Sequence, residues 1–107
     1  MSLIKTIIYA TSNHKEPFSE WFIDLDKKAK SIILSRLERI SLGDFGDCKS
    51  IGNGVSELRI HHGPGYRIYF GKRGNTLVIL LIGGNKGTQS RDITKATRYW
   101  LDYKETL

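Results

Sequence analysis

The sequence predicts a single α+β domain over residues 1–107, with an N-terminal strand, a helical hairpin, an antiparallel β-meander and a C-terminal helix. Three observations predict it. The chain opens on a β-branched run, and then carries apolar residues at helical spacing between Pro17 and Ile40. Three short apolar segments bounded by Gly or Asn follow within residues 55–82. Helical spacing returns near Arg91, so strands and helices are segregated along the chain rather than alternating, as an α+β fold requires. With 107 residues and 39% hydrophobic content, the chain can bury one modest core and no second one.

Each element has its own signal. LIKTIIYA, residues 3–10, is rich in β-branched residues and ends at Thr-Ser-Asn, which marks a first strand and its turn. Pro17 suits the first turn of a helix, where its missing N–H would have had no partner, and Phe18, Trp21, Phe22 and Leu25 follow at i, i+3, i+4 and i+7. That aromatic stripe reads as core rather than as a platform for stacking bases. Asp26 is placed as the N-cap of a second helix, with Ala29, Ile33, Leu37 and Ile40 on one face and Gly43 at its end. Lys27, Lys28 and Lys30 fall on its solvated side. Residues 44–54, DFGDCKSIGNG, read as a loop in which Cys48 is one small residue. Residues 55–61, 65–71 and 76–82 make the meander, the last two joined through a Gly-Asn turn. Ile93, Ala96, Trp100 and Tyr103 then line one stripe of a helix over residues 91–104.

The stretch ELRIHHGPGYRIYF, residues 57–70, fixes its own register. If Leu58 and Ile60 are to share a buried face with Tyr66, Ile68 and Phe70, opposed residue numbers must sum to an even value, as in a pairing of Arg59 with Arg67. The opposite face then displays Glu57, Arg59, His61, Arg67 and Tyr69. Two arginines at cross-strand spacing, about 5 Å, repel each other, so an anion belongs between them. Glu57 can be that anion, in an ordinary structural ion pair. A bound phosphate is the other reading, because guanidinium forks match phosphate oxygens and stay charged. On that reading neither arginine is needed by the core.

TLVILLI, residues 76–82, is apolar on both faces and must be an interior strand covered from both sides. The helical hairpin covers one face, and the last helix covers part of the other. The arginines fall on the side of the last helix, where one small helix leaves a cleft. Lys86 in GGNKG emerges from the end of that strand. Gly83, Gly84 and Gly87 beside it either let backbone amides approach an anion or only shape the turn into the helix.

The net charge of +6 is concentrated in the second half: residues 1–50 hold 8 Lys/Arg against 7 Asp/Glu, and residues 51–107 hold 9 against 4. A basic surface of this kind meets phosphate readily, through release of condensed counterions. Other classes are disfavoured. A single cysteine offers no disulfide and no metal-ligand spacing, and the adjacent His61 and His62 point to opposite faces of a strand, so no metal is expected. GGNKGT lacks the order of a P-loop, and neither it nor GPGYR is a dinucleotide fingerprint, so no nucleotide cofactor is expected. The longest apolar run, Leu77 to Ile82, is far too short to cross a bilayer, and the N-terminus shows no leader pattern, so a cytoplasmic protein is expected. His62 reads as exposed and inert. His61 is either a surface residue or an acid/base candidate, since imidazole titrates near pH 6.5.

Three segments, FSEWFIDLDKKAKSIILSRLERI, GVSELRIHHGPGYRIYF and LLIGGNKGTQSRDITKA, carry a resemblance that spans residues 3–105. The chain resembles the RelE/ParE-superfamily toxins of type II toxin–antitoxin systems, in the HigB-like branch of phage-derived addiction module killer proteins. The most specific part is ELRI with GPGYR, followed by GGxK-x-TQ-x-x-DI-x-x-A. The resemblance implies a RelE-like, microbial-ribonuclease-like fold and cleavage of mRNA on the translating ribosome without metal or cofactor. It also implies a cognate antitoxin, expected to carry a helix-turn-helix. By position, Arg67 matches the family arginine at the scissile phosphate, Arg59 a basic residue on the preceding strand, and Lys86 a further basic residue. The chain has Asp92 where some relatives place a tyrosine or histidine, which leaves the general acid and base open.

RNA can be cut by its own 2'-hydroxyl, so such a protein need only align the backbone, stabilise charge and assist two proton transfers. Arg59, Arg67 and Lys86 are expected to supply the electrostatics, and His61 the acid/base group. Tyr69, Arg91 and Asp92 are expected to contact RNA, with Tyr69 or Asp92 as substitutes for His61. ParE-like relatives bind gyrase and cut no RNA, and an inactive antitoxin-binding relative is a third reading, because a shared fold does not fix function.

Overall fold

A computed structural model describes residues 3–107; Met1 and Ser2, whose nativeness the sequence leaves open, lie outside the described residues. Strand β1 (Lys5–Ile8) is followed by helices α1 (Pro17–Ile23) and α2 (Lys27–Ser41). Four strands come next, β2 (Cys48–Gly52), β3 (Val55–Ile60), β4 (Tyr66–Arg73) and β5 (Leu77–Asn85). A 3₁₀ turn over Lys86–Thr88 then leads into helix α3 (Gln89–Glu105). The five strands form one sheet in the order β1-β5-β4-β3-β2, with β1 parallel to β5 and all other pairs antiparallel. The architecture is the expected α+β arrangement, with the helical hairpin on one face and α3 on the other.

The helix signals act where they were read. Pro17 occupies the first turn of α1, and the Asp26 carboxylate accepts from the Ala29 N–H at 2.8 Å, capping α2. The apolar stripes then bury one face. Phe18, Ala29, Ile33 and Ile40 pack on Leu58, Ile60, Tyr66, Ile68, Phe70, Val78 and Leu80. On the other face Val55, Tyr69, Ile79, Leu81 and Ile82 pack on Ala96 and Trp100 of α3. Strand β5 is thus buried on both sides, and Arg59 pairs directly with Arg67, as the parity argument requires.

Two corrections concern residues read as loop or turn. Residues 48–52 form an edge strand, with Cys48 opposite Leu58 and Lys49 opposite Glu57. Its turn into β3 is Asn53-Gly54, with φ of 57° and 81°, the two positive values that a two-residue hairpin turn demands. Gly83 and Gly84 belong to β5 and do not shape the turn into the helix. A Cβ on Gly83 would collide with the Trp21 ring, and one on Gly84 with the Asp92 carboxylate, so they let α1 and α3 sit close to the sheet. A bulge in β5 at Leu81 makes this possible, because it shifts the pairing with β4 by one residue and turns Gly84 to the α3 side, opposite Arg67.

Among the described residues no helix is long and apolar enough to cross a membrane.

Candidate functional site

Arg67 is set by its strand and by the turn before it. Its Nη1 donates to the Gly65 carbonyl at 2.8 Å. Gly65 has a φ of +77°, and a Cβ there would lie 3.2 Å from Arg67 Nη1 and 3.7 Å from the Lys86 Cβ. A side chain at residue 65 would be strained and would crowd both basic residues. Gly65 of the GPG turn thus lies against both Arg67 of β4 and Lys86 of the 3₁₀ turn, at the end of the sheet where β5 runs into α3.

The anion beside Arg67 is Glu57. Its side chain is fully buried, with Oε2 accepting from Tyr69 Oη at 2.9 Å and from Gln89 Nε2 at 2.9 Å. Arg67 Nε lies 3.9 Å from the same oxygen, close enough for charge attraction and too far for a hydrogen bond. Among the described residues Glu57 Oε1 and the Nε atoms of Arg59 and Arg67 are buried without hydrogen-bond partners. The ion-pair reading holds for Arg67, and it makes that residue partly structural. Its side chain is only 11% exposed.

Arg59 has a different partner. The backbone carbonyl of Asp47, just before β2, accepts from the Arg59 N–H at 2.9 Å, and its carboxylate Oδ1 accepts from Arg59 Nη2 at 3.4 Å. The second carboxylate oxygen, Asp47 Oδ2, lies 2.6 Å from His61 Nε2. That hydrogen bond from His61, with the nearby charge of Arg59, holds the Asp47 carboxyl below its usual range. The His61 ring is 74% exposed and oriented by Asp47, which leaves Nδ1 available to a substrate. His62, read as exposed, is half-buried and stacks on Tyr66 at 6.4 Å between ring centroids.

Two expected RNA contacts lie inside the protein. Tyr69 is fully buried and Asp92 is 2% exposed. Strand alternation put Tyr69 on the correct face, but α3 covers that part of it. Burial raises the Tyr69 phenol above its ordinary pKa, and the bond to Glu57 raises it further. Asp92 accepts from the Thr88 hydroxyl at 2.5 Å and packs against Gly84. Both side chains are engaged by neighbours within the protein. Arg91 is exposed, with Nε 3.7 Å from Asp92 Oδ1. Cys48 is half-buried in β2, and burial pushes its thiol up to about 11, so it is no nucleophile at neutral pH.

The structure thus gathers Arg59, His61, Arg67 and Lys86 at one end of the sheet, and adds Asp47 and Gln89. The signal for Asp47 was faint, a second Asp in a Gly-rich stretch. Gln89 is placed only by the docking of α3. Chemically, the site offers fixed cations for a phosphate and one accessible imidazole held by a carboxylate.

The family model described as "Phage derived protein Gp49-like (DUF891)" matches residues 20–100, which span every site residue just described. A protein of Haemophilus influenzae (strain ATCC 51907 / DSM 11121 / KW20 / Rd), described as uncharacterized, is 46% identical over 80 residues, covering 74% of this chain and 81% of the relative. With most of its length matched in both comparisons, the chain belongs to the Gp49-like family of phage-derived proteins.

Proposed function

We propose that this chain is the toxin of a toxin–antitoxin system and acts as a metal-independent endoribonuclease on mRNA, with the ribosome supplying much of the substrate positioning. The observation that carries the reading is the pair Arg59 and Arg67, opposed on adjacent strands beside Lys86, with an exposed His61 within the same end of the sheet. The resemblance to HigB-like toxins and membership of a phage-derived family point the same way. Arg67 and Lys86 hold the scissile phosphate and stabilise the charge that develops on it. The 2'-hydroxyl attacks in line, and His61, steadied by Asp47, moves a proton at the reacting oxygens. A cognate antitoxin that lays acidic or apolar groups over this end would block RNA entry. An mRNA substrate places the action in the cytoplasm.

The reading is tested with purified protein and ribosome-bound mRNA. Cleavage is expected to persist in EDTA with ribosome integrity checked separately, to stop on a single 2'-deoxy substitution at the scissile nucleotide, and to leave a 2',3'-cyclic phosphate or its 3'-phosphate product. Asp47→Asn, which keeps the shape and removes the charge, should slow cleavage by about tenfold to a hundredfold, on the scale of assistance to an acid/base group. Cleavage that survives the 2'-deoxy change removes the proposed nucleophile. Inhibition of gyrase without any mRNA cutting assigns the protein to the ParE-like class instead.

A further inference from the structure

The described residues carry a second basic cleft, distinct from the arginine pair. It lies at the sheet edge between α1 and α3, has a volume of about 440 Å³, and is lined by Lys15, Trp21, Arg91, Lys95 and Tyr99 among others. Three cations from two separate parts of the chain converge there. Lys15 comes from the loop before α1, and Arg91 and Lys95 lie four residues apart on one face of α3. The two aromatic residues are rigidly held. Trp21 packs over Gly83 and meets Tyr66 edge-on at 6.1 Å, and Tyr99 stacks on Tyr9 at 5.1 Å.

Two carboxylates also line the cleft, Glu20 and Asp92. Asp92 is 2% exposed, accepts from the Thr88 hydroxyl and lies 3.7 Å from Arg91 Nε, so Glu20 is the exposed carboxylate of the cleft, and three cations stand against two carboxylates. The balance favours a negatively charged ligand. Among the described residues neither the Trp21 indole N–H nor the Tyr99 hydroxyl makes a hydrogen bond, so each residue brings an uncommitted donor to the cleft that both line.

Arg91 also lines an adjoining groove with Gly87, Thr88 and Ser90, which begins on the 3₁₀ turn that carries Lys86. A continuous path therefore leads from Arg67 and Lys86, over the start of α3, to the cleft. Only β5 lies between Arg67 on β4 and the cleft beyond it, and each strand step is about 5 Å. An extended anionic polymer suits such a path, because successive charges can engage both ends at once.

We infer that the cleft between α1 and α3 is a second phosphate subsite, which holds a phosphodiester of single-stranded RNA away from the cutting point. This rests on the ribonuclease reading for the identity of the strand, and not for the existence of the subsite. The subsite fixes the direction in which RNA crosses the protein. It also supplies affinity through Lys15, Arg91 and Lys95 without touching the reacting atoms.

The test is a titration of the full chain with an uncleavable, fully 2'-O-methylated hexanucleotide, followed by the two indole N–H resonances and by affinity at several salt concentrations. The Trp21 indole should shift on binding, and that of Trp100, buried between α3 and the sheet, should not. Lys15→Ala with Lys95→Ala should weaken binding about fivefold or more and reduce the slope of log affinity against log salt by about 0.7, the value of one phosphate contact on a single strand. An unmoved Trp21 resonance, or unchanged affinity and slope in the double variant, overturns the subsite. So does a hexaglutamate peptide that shifts Trp21 and displaces the oligonucleotide, which would make the cleft an acidic-peptide site, or inorganic phosphate that binds where the oligonucleotide does not. A Trp21 shift with the oligonucleotide, together with no cutting of ribosome-bound mRNA, would remove the ribonuclease reading and leave the subsite standing. Cutting without the shift would do the reverse.

Discussion

At the residue scale, the two arginines that look equivalent in sequence are physically different. Arg67 is 89% shielded and sits beside a fully buried Glu57, whereas Arg59 is 32% exposed and shares a half-exposed Asp47 with His61. By their burial the two differ in what the core asks of them, and only Arg67 stands beside a fully buried charge. Removing Arg67 leaves a buried carboxylate with only two neutral donors, and losing the charged partner of a buried pair costs on the order of 3 kcal/mol. Arg67→Ala should therefore lower the urea midpoint clearly, and Arg59→Ala should barely move it. Replacing Glu57 by Gln in the Arg67→Ala background should recover much of the loss, because an amide needs no counter-charge. Equal midpoints for the two single variants would mean that Glu57 is satisfied without Arg67. For function, the consequence is that loss of activity in Arg67→Ala must be read in the double variant, where folding is restored.

At the element scale, what was legible followed from local periodicity. The hairpin register could be read because a slip by one residue would have put Leu58 and Ile60 on the opposite face from Ile68, mixing apolar and charged side chains on both. Helix α2 could be read because Asp26, its apolar stripe and Gly43 agree with one another. Strand β2 was hidden by its Gly, Ser and Asp neighbours, though Asn53-Gly54 is a hairpin signal in its own right. The burial of Tyr69 and Asp92 was not legible, since it depends on where α3 docks. Alternation assigns a residue to a face and says nothing about what covers that face. The docking itself relies on Gly84, whose missing Cβ makes room for Asp92 and Thr88. Gly84→Ala should force the start of α3 outward, at a cost of about 1–3 kcal/mol for an overfilled contact. It should also weaken oligonucleotide binding more than Gly74→Ala, which sits at an open turn far from the site. Unimpaired stability and binding in Gly84→Ala would show that α3 is not held by this contact.

At the scale of the whole molecule, α3 is fastened to the sheet side by hydrogen bonds to its two ends, a phenol–carboxylate bond at one and an amide–carboxylate bond at the other. Tyr9 on the sheet side donates to Asp102 at 2.5 Å, and Tyr69 donates to the Glu57 that Gln89 also holds. Burial comes first in raising both phenols above their ordinary value, followed by their carboxylate partners. Cys48 is raised in the same direction, to about 11, by burial in β2. In the unfolded chain these groups ionise near their ordinary values, about 8.5 for the thiol and 10 for the phenols. Above those values the unfolded state releases protons that the native state retains, so stability falls as pH rises. The contribution is complete below about pH 8 and is lost progressively towards pH 11 for Cys48, and from about pH 10 upward for the tyrosines. An ionised phenol would also stop donating and would repel its carboxylate. The urea midpoint should therefore be flat from pH 7 to 8 and then fall, with Cys48→Ala removing the earlier part of the decline and Tyr9→Phe reducing the later part. Binding of RNA should decline along the later limb, because Gln89, Arg91 and Lys95 move with α3. A midpoint that stays level to pH 11, or a decline unchanged by both substitutions, would mean that these buried groups do not govern the attachment of the helix.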